Sequence, residues 1–424
     1  MHRSVGNVAG EKRYETRKPF HRGFCLRGVF MRARNRLVSA YRRSVISDYP
    51  RYWAIGLFIF TAWTLLFNLG VAALIEPDEG RNAEIAREIL VLGDWITPHY
   101  DFIPRLDKPM LFFDVVALSY RAFGISEWSA RLPAALAGFG CLSLTYFVSR
   151  SLFGRWTARW SVLILLTSME FFAYTHIVIL DMLLTFFLTT ALCCFFLGER
   201  AVERGGGRIY FCLMYAALGA ATLVKGPIGL LLPAAVILFY LVLTKRWMLL
   251  GQMDLPLGLA LFSLVAGPWY ILAELRNPGY LHNFFWEQHV ARFTTNEFRR
   301  GGAWYYFIGV LGLGFLPWTV LLPATLTDLR TRPLDREQMF LILWIALPLL
   351  FFSFSSSKLP HYILPIYARL AILVGAAVAR FFEDSPANAG RLFSFPAGFL
   401  LALSLVLTLL ILFSEFLPDR LHGY

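Results

Sequence analysis

Long apolar runs separated by short polar connections set the rhythm of this chain. A helix needs ~20 apolar residues to cross a bilayer. Runs of that kind fall at about 52–75, 131–149, 156–174, 182–198, 209–224, 227–243, 250–272, 303–325, 338–354, 361–379 and 393–417. The pattern predicts an all-α polytopic membrane protein with about eleven transmembrane helices. The runs are long and do not alternate, which argues against a β-barrel.

One apolar segment, 108–124, is short and carries Asp114 and Arg121. Counting it as a span would invert everything after it and put most later arginines outside. It therefore reads as a helix lying along the outer interface. The first outer loop then covers 76–130 and the second 274–302. Within the first, 78–92 predicts a juxtamembrane helix. Ile85, Ile89 and Leu92 share one face, and Glu84, Arg87 and Glu88 lie off it.

Composition supports this picture. Of 424 residues, 57% are hydrophobic and 16% charged, more apolar surface than a soluble fold can hide. The net charge is +12, and much of the excess lies before Trp53, where many arginines and lysines face only Glu11, Glu15 and Asp48. Residues 1–51 read as a basic, disordered cytoplasmic tail, and 52–424 as the transmembrane domain. A nucleic-acid role for the tail is the minor reading, and Met31 is an alternative start. No short apolar region marks the tail as a cleaved signal. With the tail inside, the inner connections should be basic. They carry Arg150, Arg155 and Arg159; Arg200, Arg204 and Arg208; Lys245 and Arg246; Arg330, Arg332 and Arg336; and Arg380 and Arg391. The five cysteines make no metal-ligand spacing.

The outer connections differ. They collect Asp78, Glu79, Arg81, Asp107, Lys108, His176, Asp181, Lys225, His282, Glu287, His289, Arg292, Lys358, His361 and Tyr362. Each has an ordinary alternative. Asp78, Glu79 and Asp181 suit helix starts, and Lys225 suits an interfacial snorkeler. Yet ionisable groups at the membrane edge are expensive, and five such segments on one side point to a functional site. Cations there suit a lipid phosphate. A carboxylate beside them suits a general base or a charge stabiliser. Together they fit group transfer from a lipid-phosphate carrier.

The stretches "EPDEGRNAEIAREILVLGDWITP", "LDKPMLFF", "RLPAALAGFG", "THIVILDMLLTFF", "LVKGPIGLLLP", "NPGYLHNFFWEQHVARF", "GFLPWTVLLP" and "FSFSSSKLPHYILPIYARLA" occur in order from about Trp53 to Leu370. In this the chain resembles the C-type polyprenyl-phosphate-dependent glycosyltransferases. It is most similar to their bacterial lipid A aminoarabinose transferase branch, and more distantly to protein O-mannosyltransferases. The resemblance implies an inverting enzyme of the bacterial inner membrane with a periplasmic site. The donor would be a sugar on undecaprenyl phosphate, and the acceptor lipid A or another envelope lipid or glycan.

By matched position, Asp78 is the first-loop carboxylate, with Lys108 and Asp181 as further catalytic-site residues. Arg81, Lys225, Lys358 and Tyr362 would line the phosphate and substrate site. Asp107 and His289 match positions associated with a divalent metal, the one cofactor this resemblance raises. The sequence departs from that branch at Asn82, usually aromatic, and at Asp107-Lys108-Pro109-Met110, usually Glu-Lys-Pro-Pro. The branch continues into a soluble periplasmic domain, and the chain ends at Tyr424, so that domain is expected to be absent. A lipid-substrate transporter and an inactive scaffold are the competing readings. A transporter should also show mid-membrane charges and inverted repeats, and neither is evident.

Overall fold

The computed structural model describes residues 50–291, 302–384 and 398. By its contacts the chain divides after Phe60. Of the first unit, residues 50–60 are described, as the opening of helix α1 (Pro50–Leu66). All packing considered below lies within the second unit, which begins at Thr61.

The second unit is almost wholly helical. After α1 come α2 (Asp78–Leu92) and a two-stranded hairpin, β1 (His99–Tyr100) antiparallel to β2 (Ile103–Pro104). Then follow α3 (Leu111–Phe123), α4 (Glu127–Phe153), α5 (Arg155–Leu166), α6 (Met169–Tyr174) and α7 (Leu180–Val202). Next are α8 (Arg208–Lys225), α9 (Ile228–Thr244) and α10 (Leu255–Arg276). The described part closes with α11 (Tyr306–Gly314), α12 (Leu322–Thr331), α13 (Arg336–Phe354) and α14 (Tyr367–Asp384).

Local chemistry explains several boundaries. Ser126 and Ser129 form a reciprocal capping box at the start of α4, and Asp335 and Gln338 form another at α13. Gly93 ends α2 in the left-handed region and returns its N–H to Ile89. Gly226, also at positive φ, lets the chain leave α8 directly into Pro227 and α9.

Six helices among the described residues are long and apolar enough to cross a membrane: α4, α7, α8, α10, α13 and Pro360–Phe382. These match six of the runs read from the sequence. The other five expected runs do not meet that test as single helices among the described residues. The run 303–325 is bent by 106° between α11 and the segment Trp318–Thr331. Pro317 lies at this bend, and proline cannot continue the hydrogen-bond ladder. Counted as one span, the bent pair makes seven. The run 156–174 splits at Thr167–Ser168 into α5 and the one-and-a-half-turn α6. The helices over 55–66 and 228–244 are shorter than a full span. The run 393–417 lies outside the described residues, Gly398 excepted. Segment 108–124 forms α3, which buries Phe112, Phe113, Val116 and Tyr120 while Leu118 and Phe123 stay exposed. Burial pushes the Asp114 carboxyl on this helix up to about 7.

One core cluster joins α7, α8, α9 and α13 through Phe195, Phe196, Met214, Tyr240, Phe340 and Trp344. Phe196 stacks on Phe340 with centroids 4.8 Å apart, and Tyr240 meets Phe340 edge-on at 5.3 Å. In lipid, helices associate through close packing rather than exclusion of water, so small residues sit at contacts. A Cβ at Gly375 of α14 would lie 2.6 Å from Ser161 Oγ and 2.9 Å from Ser161 N of α5. Leu264, Ile271 and Leu275 share a face of α10 and are exposed, as lipid-facing side chains would be. Gly375→Val should therefore destabilise the fold by about 1–3 kcal/mol through overpacking. The check is the thermal unfolding midpoint of the solubilised protein; an unchanged midpoint would refute this close approach.

Candidate active site

The site begins with a buried ion pair. Glu79 and Arg131 are both nearly inaccessible, with side chains 1% and 4% exposed. Arg131 donates from Nε to Glu79 Oε1 at 2.7 Å and from Nη2 to Oε2 at 2.9 Å. Its remaining N–H groups reach the carbonyls of Leu69, Ala72 and Ala73. Glu79 also accepts from the backbone N–H of Ile75 and of Val178. Burial pushes the Glu79 carboxyl up, but Arg131 and the two backbone donors outweigh it and hold the group below its ordinary value. One pair thus ties the start of α2 to α4, to the loop before α2 and to the entry of α7. Asn82, one turn along α2, donates to Val178 O at 2.9 Å and repeats the strap.

That strap leaves Asp78 at the mouth of a cavity of about 330 Å³. Its side chain is 61% exposed, and Arg81 Nη2 reaches Asp78 Oδ1 at 2.5 Å. From the hairpin side, Arg105 clamps Asp107 through Nε at 3.0 Å and Nη2 at 3.3 Å. Lys108 Nζ donates to Asp107 O at 3.3 Å. Burial raises the Asp107 carboxyl, but Arg105, Lys108 and Arg81 together hold it below its ordinary value.

The deep wall comes from two helix ends. Asp181, in the first turn of α7, is buried and pairs with Lys225, the last residue of α8. His361 Nε2 stands 3.5 Å from Asp181 Oδ2 on the other side. Lys225 Nζ also lies 4.5 Å from the centroid of the Tyr362 ring. Gly226 and Pro227 fix Lys225 at this depth by ending its helix there.

Seven of the residues expected from the sequence therefore line one cavity: Asp78, Arg81, Asp107, Lys108, Asp181, Lys225 and Tyr362. Lys358 is not among its lining residues; its Nζ donates to Ser355 O at 2.5 Å. The side chain of His289 lies outside the described residues. His176 turns its Nδ1 to Thr175 Oγ1 and Phe172 O, away from that role. Arg105 and Asn82 join the lining without having been assigned there, and His361 joins from the outward set without a role of its own. Their sequence signals are slight: Arg105 stands three residues before Lys108, and His361 directly precedes Tyr362.

The lining holds four permanent cations, Arg81, Arg105, Lys108 and Lys225, against three carboxylates. Such a site suits an anion more than a bare cation. Among the described residues, no group of three His, Cys, Asp or Glu side chains comes together to hold a metal ion. Asp107 pairs with Arg105. Of the three carboxylates, Asp78 is the one most open to a bound molecule.

Comparison with known proteins places this geometry. The sequence profile of the dolichyl-phosphate-mannose-protein mannosyltransferase family matches residues 52–329. The chain belongs to this mannosyltransferase family. It is 34% identical over 326 residues to an undecaprenyl phosphate-alpha-4-amino-4-deoxy-L-arabinose arabinosyl transferase of Enterobacter sp. (strain 638), covering 75% of this chain and 58% of that protein. A transferase of the same name from Aeromonas hydrophila is 32% identical, over 85% of this chain and 66% of that one. The fold is similar to that of ArnT from Cupriavidus metallidurans bound to undecaprenyl phosphate, with a TM-score of 0.72 and 34% identity over 78% of this chain and 61% of that one. An Archaeoglobus fulgidus oligosaccharyltransferase shares the fold at a TM-score of 0.55 and 13% identity, covering 80% of this chain and 51% of that one. The chain spans about three fifths of the length of these arabinosyl transferases. As a mannosyltransferase-family member with several apolar helices long enough to cross a bilayer, it is a multi-pass membrane protein.

Glu79→Gln should cost about 3–5 kcal/mol, because it leaves Arg131 buried without its counter-charge. The folded Glu79 carboxyl lies below its ordinary 4.5. The pair's contribution is thus complete above that value and is lost as pH falls through the folded one. Thermal unfolding between pH 7 and pH 3 should show a steep acid limb in wild type and a flatter one in the variant. Parallel limbs would refute the assignment.

Proposed function

We propose that this protein is an inverting glycosyltransferase that moves a sugar from undecaprenyl phosphate to an acceptor at the periplasmic edge of the bacterial inner membrane. The carrying observation is the cavity, where four cationic side chains surround the exposed carboxylate of Asp78. Family membership and the undecaprenyl-phosphate names of the relatives support the same reading. The basic inner connections support a cytoplasmic N-terminus and an outward-facing cavity.

In this mechanism an acceptor oxygen attacks the anomeric carbon as the bond from that carbon to the phosphate oxygen breaks. The electron pair leaves with the phosphate. Arg81, Lys108 and Lys225 stabilise the charge gathering there, already in place before the reaction starts. Asp181, with His361 on its other oxygen, holds Lys225, and Tyr362 gives its ammonium an aromatic face. If the acceptor is a hydroxyl, its proton passes to Asp78. If it is a phosphate of lipid A, it arrives ionised, and Asp78 orients it and steadies positive charge at the sugar. Asp107 holds Arg105 in the lining rather than meeting the sugar.

Asp78→Asn should abolish transfer from labelled undecaprenyl-phosphate sugar while leaving carrier binding within about twofold. Lys225→Ala should lower transfer about 10²-fold or more, as loss of a charge-stabilising donor does. Product formation by wild-type protein supports the proposal. Translocation of the labelled lipid without product would mark a transporter, and neither activity a scaffold; either result overturns it, as would normal turnover by Asp78→Asn.

A further inference from the structure

The last turn of α7 and the turn that follows it carry opposite charges side by side. Glu199 and Glu203 occupy one face, four residues apart, and their partners are filled. Glu199 accepts from Tyr240 OH at 2.9 and 2.8 Å and pairs with Arg246. Glu203 pairs with Arg246 at 2.8 Å and Arg336 at 2.9 Å. Arg200 lies in the last turn of α7 and Arg204 in the turn after it. Neither pairs with a carboxylate among the described residues; Arg200 Nη1 reaches only Ser151 O, at 3.2 Å.

These two arginines line a pocket of about 260 Å³ where α4, α7 and α8 meet, together with Ser151, Tyr210 and Gly206. It is not part of the candidate active site. Asp181 stands at one end of the 23-residue α7 and Arg200 near the other, and a helix of that length spans ~34 Å. The pocket therefore lies at the opposite membrane edge.

The surface beneath it is apolar. Phe147, one turn deeper than Ser151 on α4, is 64% exposed. Leu213, one turn deeper than Tyr210 on α8, is 49% exposed. A paired guanidinium site suits a phosphate, which takes forked hydrogen bonds from arginine. Two exposed apolar side chains running from that site into the bilayer suit acyl chains. We infer that Arg200 and Arg204, with Ser151 and Tyr210, form a phosphate-binding pocket for the headgroup of an anionic glycerophospholipid. Basic pockets between helices recognise such headgroups by the same chemistry.

The test uses the full chain in nanodiscs of phosphatidylcholine with phosphatidylglycerol, and native mass spectrometry of the lipid that stays bound after release. Arg200→Gln/Arg204→Gln should retain roughly tenfold less phosphatidylglycerol than wild type. The charge-matched control Arg330→Gln/Arg332→Gln should retain it normally. A second arm measures thermal protection by inorganic phosphate. Protection by the lipid alone identifies the lipid as the source. Equal protection by phosphate, dependent on both arginines, keeps the anion site and makes a free phosphate its ligand. Phe147→Gln/Leu213→Gln keeps the arginines and should weaken lipid retention only. Equal retention by wild type and the double arginine variant, or equal losses in variant and control, overturns the inference.

Discussion

The cavity depends on one buried ion pair. Glu79 and Arg131 lie far apart in sequence, and neither would be tolerated alone in so apolar a setting. Their pairing succeeds because both are fully served: the guanidinium spends its other N–H groups on three carbonyls, and the carboxylate takes two backbone N–H groups besides. Successive residues on a helix point about 100° apart. When Glu79 is locked inward, its neighbour Asp78 is turned toward the cavity. A buried carboxylate thereby aims an exposed one into the cavity lining.

A second constraint comes from the bilayer. Unpaired charge at membrane depth is expensive, which favours charged side chains at helix ends. Asp181 opens α7 and Lys225 closes α8, and the two helices pack side by side, so their charged ends meet. His361 and Tyr362 arrive from the turn before α14 and complete the wall. The other end of α7 and the turn after it carry Arg200 and Arg204, beside the paired acids Glu199 and Glu203. One helix thus presents two kinds of polar site to the two membrane edges, with an apolar shaft between.

The packing between these edges is of the kind that lipid demands. Aromatic rings of α7, α9 and α13 interlock in one core cluster, while Gly375 brings α14 onto α5. Such contacts hold helix ends within a narrow tolerance, which a site of several converging charges requires.

The sequence by itself determined the helical class, the apolar lengths of six spans, the shortness that sets α3 apart from them and the residues most worth watching. Each is a local property: apolar length, helical period, or an ionisable side chain where a bilayer should end. Breaks inside the apolar runs were not legible, because hydropathy is an average over a window. The bend at Pro317 and the break at Thr167 change direction without changing that average. Only the tertiary structure decided which ionisable residues meet. Lys358 looked equivalent to Lys225 in the chain, yet it turns to Ser355, while Arg105 and His361 enter the lining. Glu79 looked like a helix-start acid, and its partner stands 52 residues away with no spacing to announce it. A buried charge is settled by whichever opposite group the packing brings within hydrogen-bond reach, and that reach is a property of the folded chain alone.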